Sequence, residues 1–263
     1  MLAKPFVVVP LPLGAIATGN ALVQNPADHL AEFDTIGMTW RSSGNTNLWV
    51  RGDFGAALPV DFMSLVWANA VPATTIRLRL GDTQAEVDGT AEYDTGALPF
   101  IDPAITRSDG LYSCHIELPT VQTKQWWRID IGGHTGSFEA AKLIMGVRQI
   151  PANFYSAGWQ YGAEDLGDID LGRWGVPAET PGLIMRSLAF KLGWMTETEF
   201  ETMFRPIMET LGKRRVALWC FDPTAGPYRQ ARTYFGWLRD VPYATGGTAV
   251  TRYEMEFQIR SMV

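Results

Sequence analysis

Cysteine and histidine are scarce in this chain, which has two of the first and three of the second in 263 residues. Cys114 and Cys220 lie far apart and form neither a disulfide framework nor a zinc site, so both are expected as buried free thiols. His29, His115 and His134 show no ligand spacing such as i, i+4 on one helix. His115 falls in an alternating segment, where a hydrogen-bonded structural role is simplest. Phosphate-cradling loops are lacking as well. Gly132-Gly133 and Gly246-Gly247 are followed by neither the lysine nor the helix that such a loop requires. There is no surplus of basic charge. Lys and Arg total 22 against 28 Asp and Glu, for a net charge of −6. That balance excludes the basic stripe on which nucleic-acid binding depends. No stretch approaches the roughly 20 apolar residues of a membrane span. The expectation is a protein with no catalytic site, cofactor or metal.

Aromatic residues and turn formers are plentiful. There are 10 Trp, 13 Phe and 8 Tyr, with 26 Gly and 16 Pro. That mixture suits short strands in sandwiches or barrels, and a mainly β fold is expected. Near the N-terminus, Lys4 precedes Phe6-Val7-Val8-Val9 and an Ala-rich stretch, in the manner of a leader peptide. Pro5, Pro10 and Pro12 interrupt it, and residues 1–30 are expected as an extended arm or edge strand.

Strand signals fill residues 31–147. Met38–Ser42 is followed by the polar turn Ser43–Asn47 and then by Leu48–Arg51. Val60–Trp67 is almost continuously apolar, as in a strand buried on both faces. Thr75–Leu80 alternates, with Ile76, Leu78 and Leu80 inward and Arg77 and Arg79 outward. After a polar loop over 82–110 come Leu111–Leu118, Gln125–Ile131 and Phe138–Val147. Residues 148–263 read as a second β domain with one packed helix over 197–211. Thr196 and Glu199 have capping-box spacing, with Met195 and Phe200 as a hydrophobic staple. Phe200, Phe204, Ile207 and Leu211 make one apolar stripe. Gly212 suits the position after the helix, and Pro206 should kink it. Lys213-Arg214-Arg215 sits at the negative end of the helix dipole, which accounts for the longest basic run. Strands over Val216–Phe221, Arg229–Leu238 and Thr251–Met262 close the chain.

Several residues invite chemical readings. Glu164, Asp165, Asp168 and Asp170 are calcium candidates by their oxygen density. Against that, Asp168-Ile169-Asp170-Leu171 alternates like a solvated strand face. Arg51-Gly52-Asp53 matches an adhesion tripeptide, but Gly52 between strands is a plain turn residue. Trp49, Trp126 and Trp127 are candidates for stacking on sugar, or else core residues. Glycoside hydrolysis needs a carboxylate pair, and none is signalled.

The run Trp40-Arg41-Ser42, Phe62–Trp67 with Asn69 after it, Ala73–Leu80, Trp126–Gly132 and Ala141–Gly146 resembles a galactose-binding-like (discoidin-type) jelly roll. The strand–helix–strand order of residues 148–263 resembles the tube-like ring domain of tailed-phage distal tail and hub proteins. Together the resemblances imply a virion tail-tip or baseplate subunit, made in the host cytoplasm. Such a subunit would form a homo-oligomeric ring, contact other tail proteins and touch a host surface glycan. Alternatives are a monomeric carbohydrate-binding module and a glycan hydrolase with an unsignalled carboxylate pair. The second domain is expected to carry the subunit contacts through its surplus aromatics. Tyr228, Arg229, Arg232, Tyr234, Trp237 and Arg239 are the interface candidates, with Pro227–Leu238 as a long strand able to pair with a neighbour's edge.

Overall fold

A computed structural model describes residues 4–35, 37–246 and 251–262. The protein is mainly β, and contacts divide it into two compact units. One comprises Val8–Arg148 and Thr224–Ala231. The other comprises Met1–Val7, Gln149–Pro223 and Arg232–Val263.

The first unit is built on two very long strands. Its main strands are β1 (Trp40–Arg41), β2 (Trp49–Ala68), β3 (Thr75–Gly81), β4 (Tyr112–Gly132) and β5 (Glu139–Gly146). β2 and β4 run antiparallel for their whole lengths and are bent by register shifts between Asp53 and Leu58 and between Val60 and Phe62. One end of the pair carries β5 and β1, and the other carries β3. A single hydrogen-bonded sheet thus folds over on itself. Val50, Leu78, Trp127 and Ile129 from one layer share a core with Met63, Leu65, Ile116 and Leu143 from the other. The outer face around β3 is polar and paired. Arg79 bonds Asp130 at 2.6 Å, and Arg128 bonds Asp88 at 2.6 Å. Arg79 is buried, where alternation placed it outward, because Asp130 on the neighbouring strand neutralises it.

The second unit holds β6 (Gln160–Asp165), β7 (Asp168–Leu171), β8 (Pro177–Thr180), β9 (Ile184–Met195), β10 (Val216–Cys220), β11 (Thr233–Leu238) and β12 (Tyr253–Ser261). Its sheet runs Phe6–Val8, β10, β11, β12, β9, β6. The helix over 197–211 packs on this sheet, with Phe200 against Tyr253 at 5.1 Å and Phe204 against Phe257 at 6.0 Å between ring centroids. Its middle, Phe200–Phe204, is a π turn lying just before Pro206. A proline has no N–H to close the normal i→i−4 bond, and the ladder widens there. Thr196 caps the helix by accepting from Glu199 N at 3.1 Å. The reciprocal half of the expected capping box is replaced, because Glu199 accepts from Ala152 N at 2.8 Å. Gly212 ends the helix at φ +52°, which suits a residue without Cβ.

Other sequence expectations are revised. Residues 1–30 contain the buried strand Phe6–Val8, the strand Ile16–Thr18 and the 3-10 turn Ala27–Ala31. Gly52 lies inside β2, not in a turn, and a Cβ there would strike the Trp127 ring. The polar loop over 82–110 includes a short helix, Gln84–Asp88, with a complete Thr83/Glu86 capping box. The strand expected over Pro227–Leu238 begins only at Thr233. β11 is paired on both sides, by β10 and β12, and so offers no edge to a neighbour.

Candidate functional site

In the first unit, a strained bulge places an indole in a cleft. Trp67, at the end of the apolar run of β2, has φ +54°. A bulky residue in the left-handed region is strained, and such strain clusters at functional positions. A register shift against β4 between Leu65 and Ala68 coincides with it, and bulges re-aim side chains. The backbone N–H of Trp67 donates to Ser113 Oγ at 3.3 Å. The half-buried Trp67 then lines a 200 Å³ cleft with Thr39, Asn69, Leu111 and Glu139.

The polar wall of this cleft is fixed by its own hydrogen bonds. Glu139 opens β5, and its N–H donates to Asn69 Oδ1 at 2.9 Å. Asn69 Nδ2 donates to Ser137 O at 2.9 Å. Thr39 Oγ1 donates to Glu139 Oε1 at 2.7 Å, while the Arg41 guanidinium stands 3.9 Å from Glu139 Oε2. Thr39 is held from behind. His29 Nδ1 meets its carbonyl at 2.9 Å, and the fully buried Lys142 donates to Met38 O at 2.8 Å and to His29 O at 2.7 Å. Burial pushes Lys142 down to about 8, against a smaller upward pull from Glu32. Glu139 keeps 35% of its side chain exposed. It retains acceptor sites, and Asn69 retains an N–H. The cleft therefore offers one aromatic face, one carboxylate and one amide donor. Among the described residues that line it, Glu139 is the sole carboxylate.

The residues singled out from sequence lie elsewhere. Trp127 is wholly buried in the sandwich core. The Trp49 ring is covered by the Arg128 guanidinium at 4.5 Å, and Trp126 is half-buried. In sequence Trp67 is only the last residue of an apolar strand, and nothing there signals its positive φ.

The four calcium candidates do not converge. Glu164 is held by Arg260 at 2.8 Å, which keeps its carboxyl below the usual range. Asp165 Oδ1 accepts from Gly167 N at 2.8 Å, and Asp168 and Asp170 lie on β7 in a separate two-stranded sheet. No group of three or more metal-ligating side chains occurs among the described residues. The cysteines are buried and form no disulfide. His115 bonds Ser64 Oγ at 2.9 Å. His134 bonds Thr74 Oγ1 at 3.1 Å.

Of the interface candidates, Tyr228 and Arg229 fall in the Thr224–Ala231 segment of the first unit. Tyr228 is exposed there, and Arg229 pairs with Glu117. Arg232 pairs with Asp222. Tyr234 is buried beneath Arg186, whose guanidinium lies 4.9 Å from the ring. Trp237 and Arg239 line a second cleft in the other unit.

No protein-family model matches the chain, and no curated protein matches it. Solved structures do resemble it over about half its length. Chitosan-binding module 1 of a chitosanase/glucanase from Paenibacillus sp. IK-5 is 14% identical, covers 52% of this chain and 98% of its own, and has a TM-score of 0.37. A fucose binding module of Streptococcus pneumoniae is 8% identical over 53% and 95%, with a TM-score of 0.38. The lectin domain of lectinolysin, solved with Lewis B antigen, is 10% identical over 50% and 91%, with a TM-score of 0.36. At these values the likeness carries nothing about ligand.

Proposed function

We propose that this is a non-catalytic binding protein whose first unit holds a saccharide in the Trp67 cleft. The observation that carries the reading is the bulged Trp67 at φ +54°, set beside the half-buried carboxylate of Glu139 and the amide of Asn69. A sugar ring has an apolar C–H face and a rim of hydroxyls. The first stacks on an indole, and the second donates to a carboxylate and accepts from an amide. At 200 Å³ the cleft is below the roughly 300–1,000 Å³ typical of drug-sized ligands, which suits a single ring at a chain end or branch. A lone carboxylate supports binding over hydrolysis, since glycoside hydrolysis uses two across the scissile bond. One histidine supports the same side. His115 is pushed down to about 3 by burial and by Arg229, too low for proton transfer near neutral pH.

The test is a glycan array of neutral, fucosylated and amino-sugar oligosaccharides, followed by calorimetry on any sugar retained. Trp67→Ala should lower affinity at least about tenfold, or ~1.4 kcal/mol, with the circular dichroism unchanged. An array with no retained sugar, or a Trp67→Ala protein that binds as well as wild type, overturns the reading. The virion tail setting stands on the family resemblance. The feature that favours a self-assembling subunit lies in the second unit.

A further inference from the structure

β6 and β9 pair from Gln160↔Ala189 to Asp165↔Ile184, and the ladder then runs on beyond the sheet. Leu166 N donates to Leu183 O at 3.1 Å, and β7 and β8 continue as a separate two-stranded ribbon. At the crossing, Gly167 and Gly182 approach so closely that a Cβ on Gly182 would strike the Gly167 backbone. Every residue of β7 and β8 is exposed. Such an isolated ribbon is marginal in water by itself.

This arm is amphipathic. Paired residues share a face, so Ile169, Leu171 and Pro177 lie on one side with Glu179, while Asp168 and Asp170 lie on the other. Ile169 is 63% exposed, Leu171 73% and, in the turn, Trp174 85%. Clustered exposed apolar residues mark an interaction surface. Across residues 165–180 the arm carries four carboxylates and one guanidinium, that of Arg173.

A complementary surface lies at the arm's root. A 280 Å³ cleft there has an apolar floor of Met185, Trp237 and Leu238 and a cationic rim of Lys213, Arg239 and Arg260. Lys213 and Arg260 are engaged by Asp240 and Glu164. Arg239 is exposed and makes no ion pair among the described residues.

We infer that the acidic, apolar arm of one chain docks into the basic-rimmed cleft at the root of a second copy's arm. Charge complementarity selects the occupant, because the arm brings carboxylates and apolar side chains to a cleft that presents cations around an apolar floor. The tip of the arm, at Trp174, lies eight residues along the strand from its own cleft. That is up to about 26 Å from Leu166, where the cleft begins. The contact is heterologous, tip to root, so each copy that receives an arm offers its own to the next.

Sedimentation velocity on the full chain tests this. Wild type should show species that are multiples of 29.2 kDa and grow with concentration. Trp174→Asp and Arg239→Glu should each sediment as a monomer with unchanged circular dichroism. Adding Glu179→Lys, on the apolar face of the arm, to Arg239→Glu should restore association. A wild-type monomer at every concentration overturns the inference, as does an Arg239→Glu protein that keeps the wild-type mass. Arg239 lies outside the arm, so a misfolded arm variant cannot rescue the idea.

Discussion

The two units treat apolar surface in opposite ways. Among the described residues, sixteen large apolar side chains are exposed, and only Val23, Val121 and Tyr228 belong to the first unit. Thirteen belong to the second, and seven of those lie on the arm or its root, between Leu166 and Ile184. The first unit folds its sheet over and seals its core, so what remains for recognition is a small polar cleft. The second unit packs Trp219, Phe221, Phe235 and Phe257 inside and projects about half of its exposed surplus on one ribbon and its root. The difference matches the proposed division, with small-ligand recognition in one unit and association in the other.

The sharpest way to break this comparison is to place the same charge in both units. Leu65 is fully buried in the sandwich core. Leu65→Asp should remove at least about 3 kcal/mol from the first unit, through lost packing and an unpaired buried carboxylate. Leu171→Asp, on the arm, should change stability by less than about 0.5 kcal/mol while dispersing the oligomer. Calorimetry and sedimentation read the pair. Equal losses of stability would erase the distinction between sealed core and projecting arm.

A second effect is pH-dependent and confined to the first unit. Burial, with Arg229 nearby, pushes His115 down to about 3, and Ser64 Oγ faces its Nδ1. The folded pKa lies below the unfolded one, so the unfolded chain alone takes up a proton between about pH 6.5 and 3. The stabilising advantage of the neutral ring is present above pH 6.5 and lost as pH falls, by about 1.4 kcal/mol per unit. Chemical denaturation from pH 7 to 5 should show this slope for wild type and a flatter one for His115→Gln. Parallel slopes would show that other groups carry it.

The smallest expected effect is that of a chelator. Glu164 and Asp165 are already engaged, and Asp168 and Asp170 sit apart on the ribbon. EDTA should leave the melting of both units where it was. A fall of several degrees would return these carboxylates to the role of calcium ligands.

Much of the first unit was legible because strand alternation reports burial directly. Ile76, Leu78 and Leu80 face the core as their spacing required. In sequence each long strand shows as a pair of short ones, because the turn formers Gly55 and Pro119 interrupt the alternation. Trp67 was illegible, because a positive φ at a tryptophan is imposed by the bulge and has no residue signature. The arm was half legible. Asp168-Ile169-Asp170-Leu171 announces a strand with one apolar face, but alternation does not say whether that face is covered. Of the aromatics expected at an interface, Tyr234 went to the core. The exposed surplus came instead from Ile169, Leu171 and Trp174, in an acidic stretch read as solvated.

The division of labour is tested most directly by one sedimentation experiment that follows mass and a bound fluorescent oligosaccharide together. The sugar is the one best retained on the array, and the samples are wild type, Trp67→Ala and Trp174→Asp. Wild type should sediment as an oligomer carrying sugar. Trp67→Ala should keep the oligomer and lose the sugar, and Trp174→Asp should keep the sugar on a 29.2 kDa monomer. A variant that loses both properties at once, or a wild type that sediments as a bare monomer, would contradict the account.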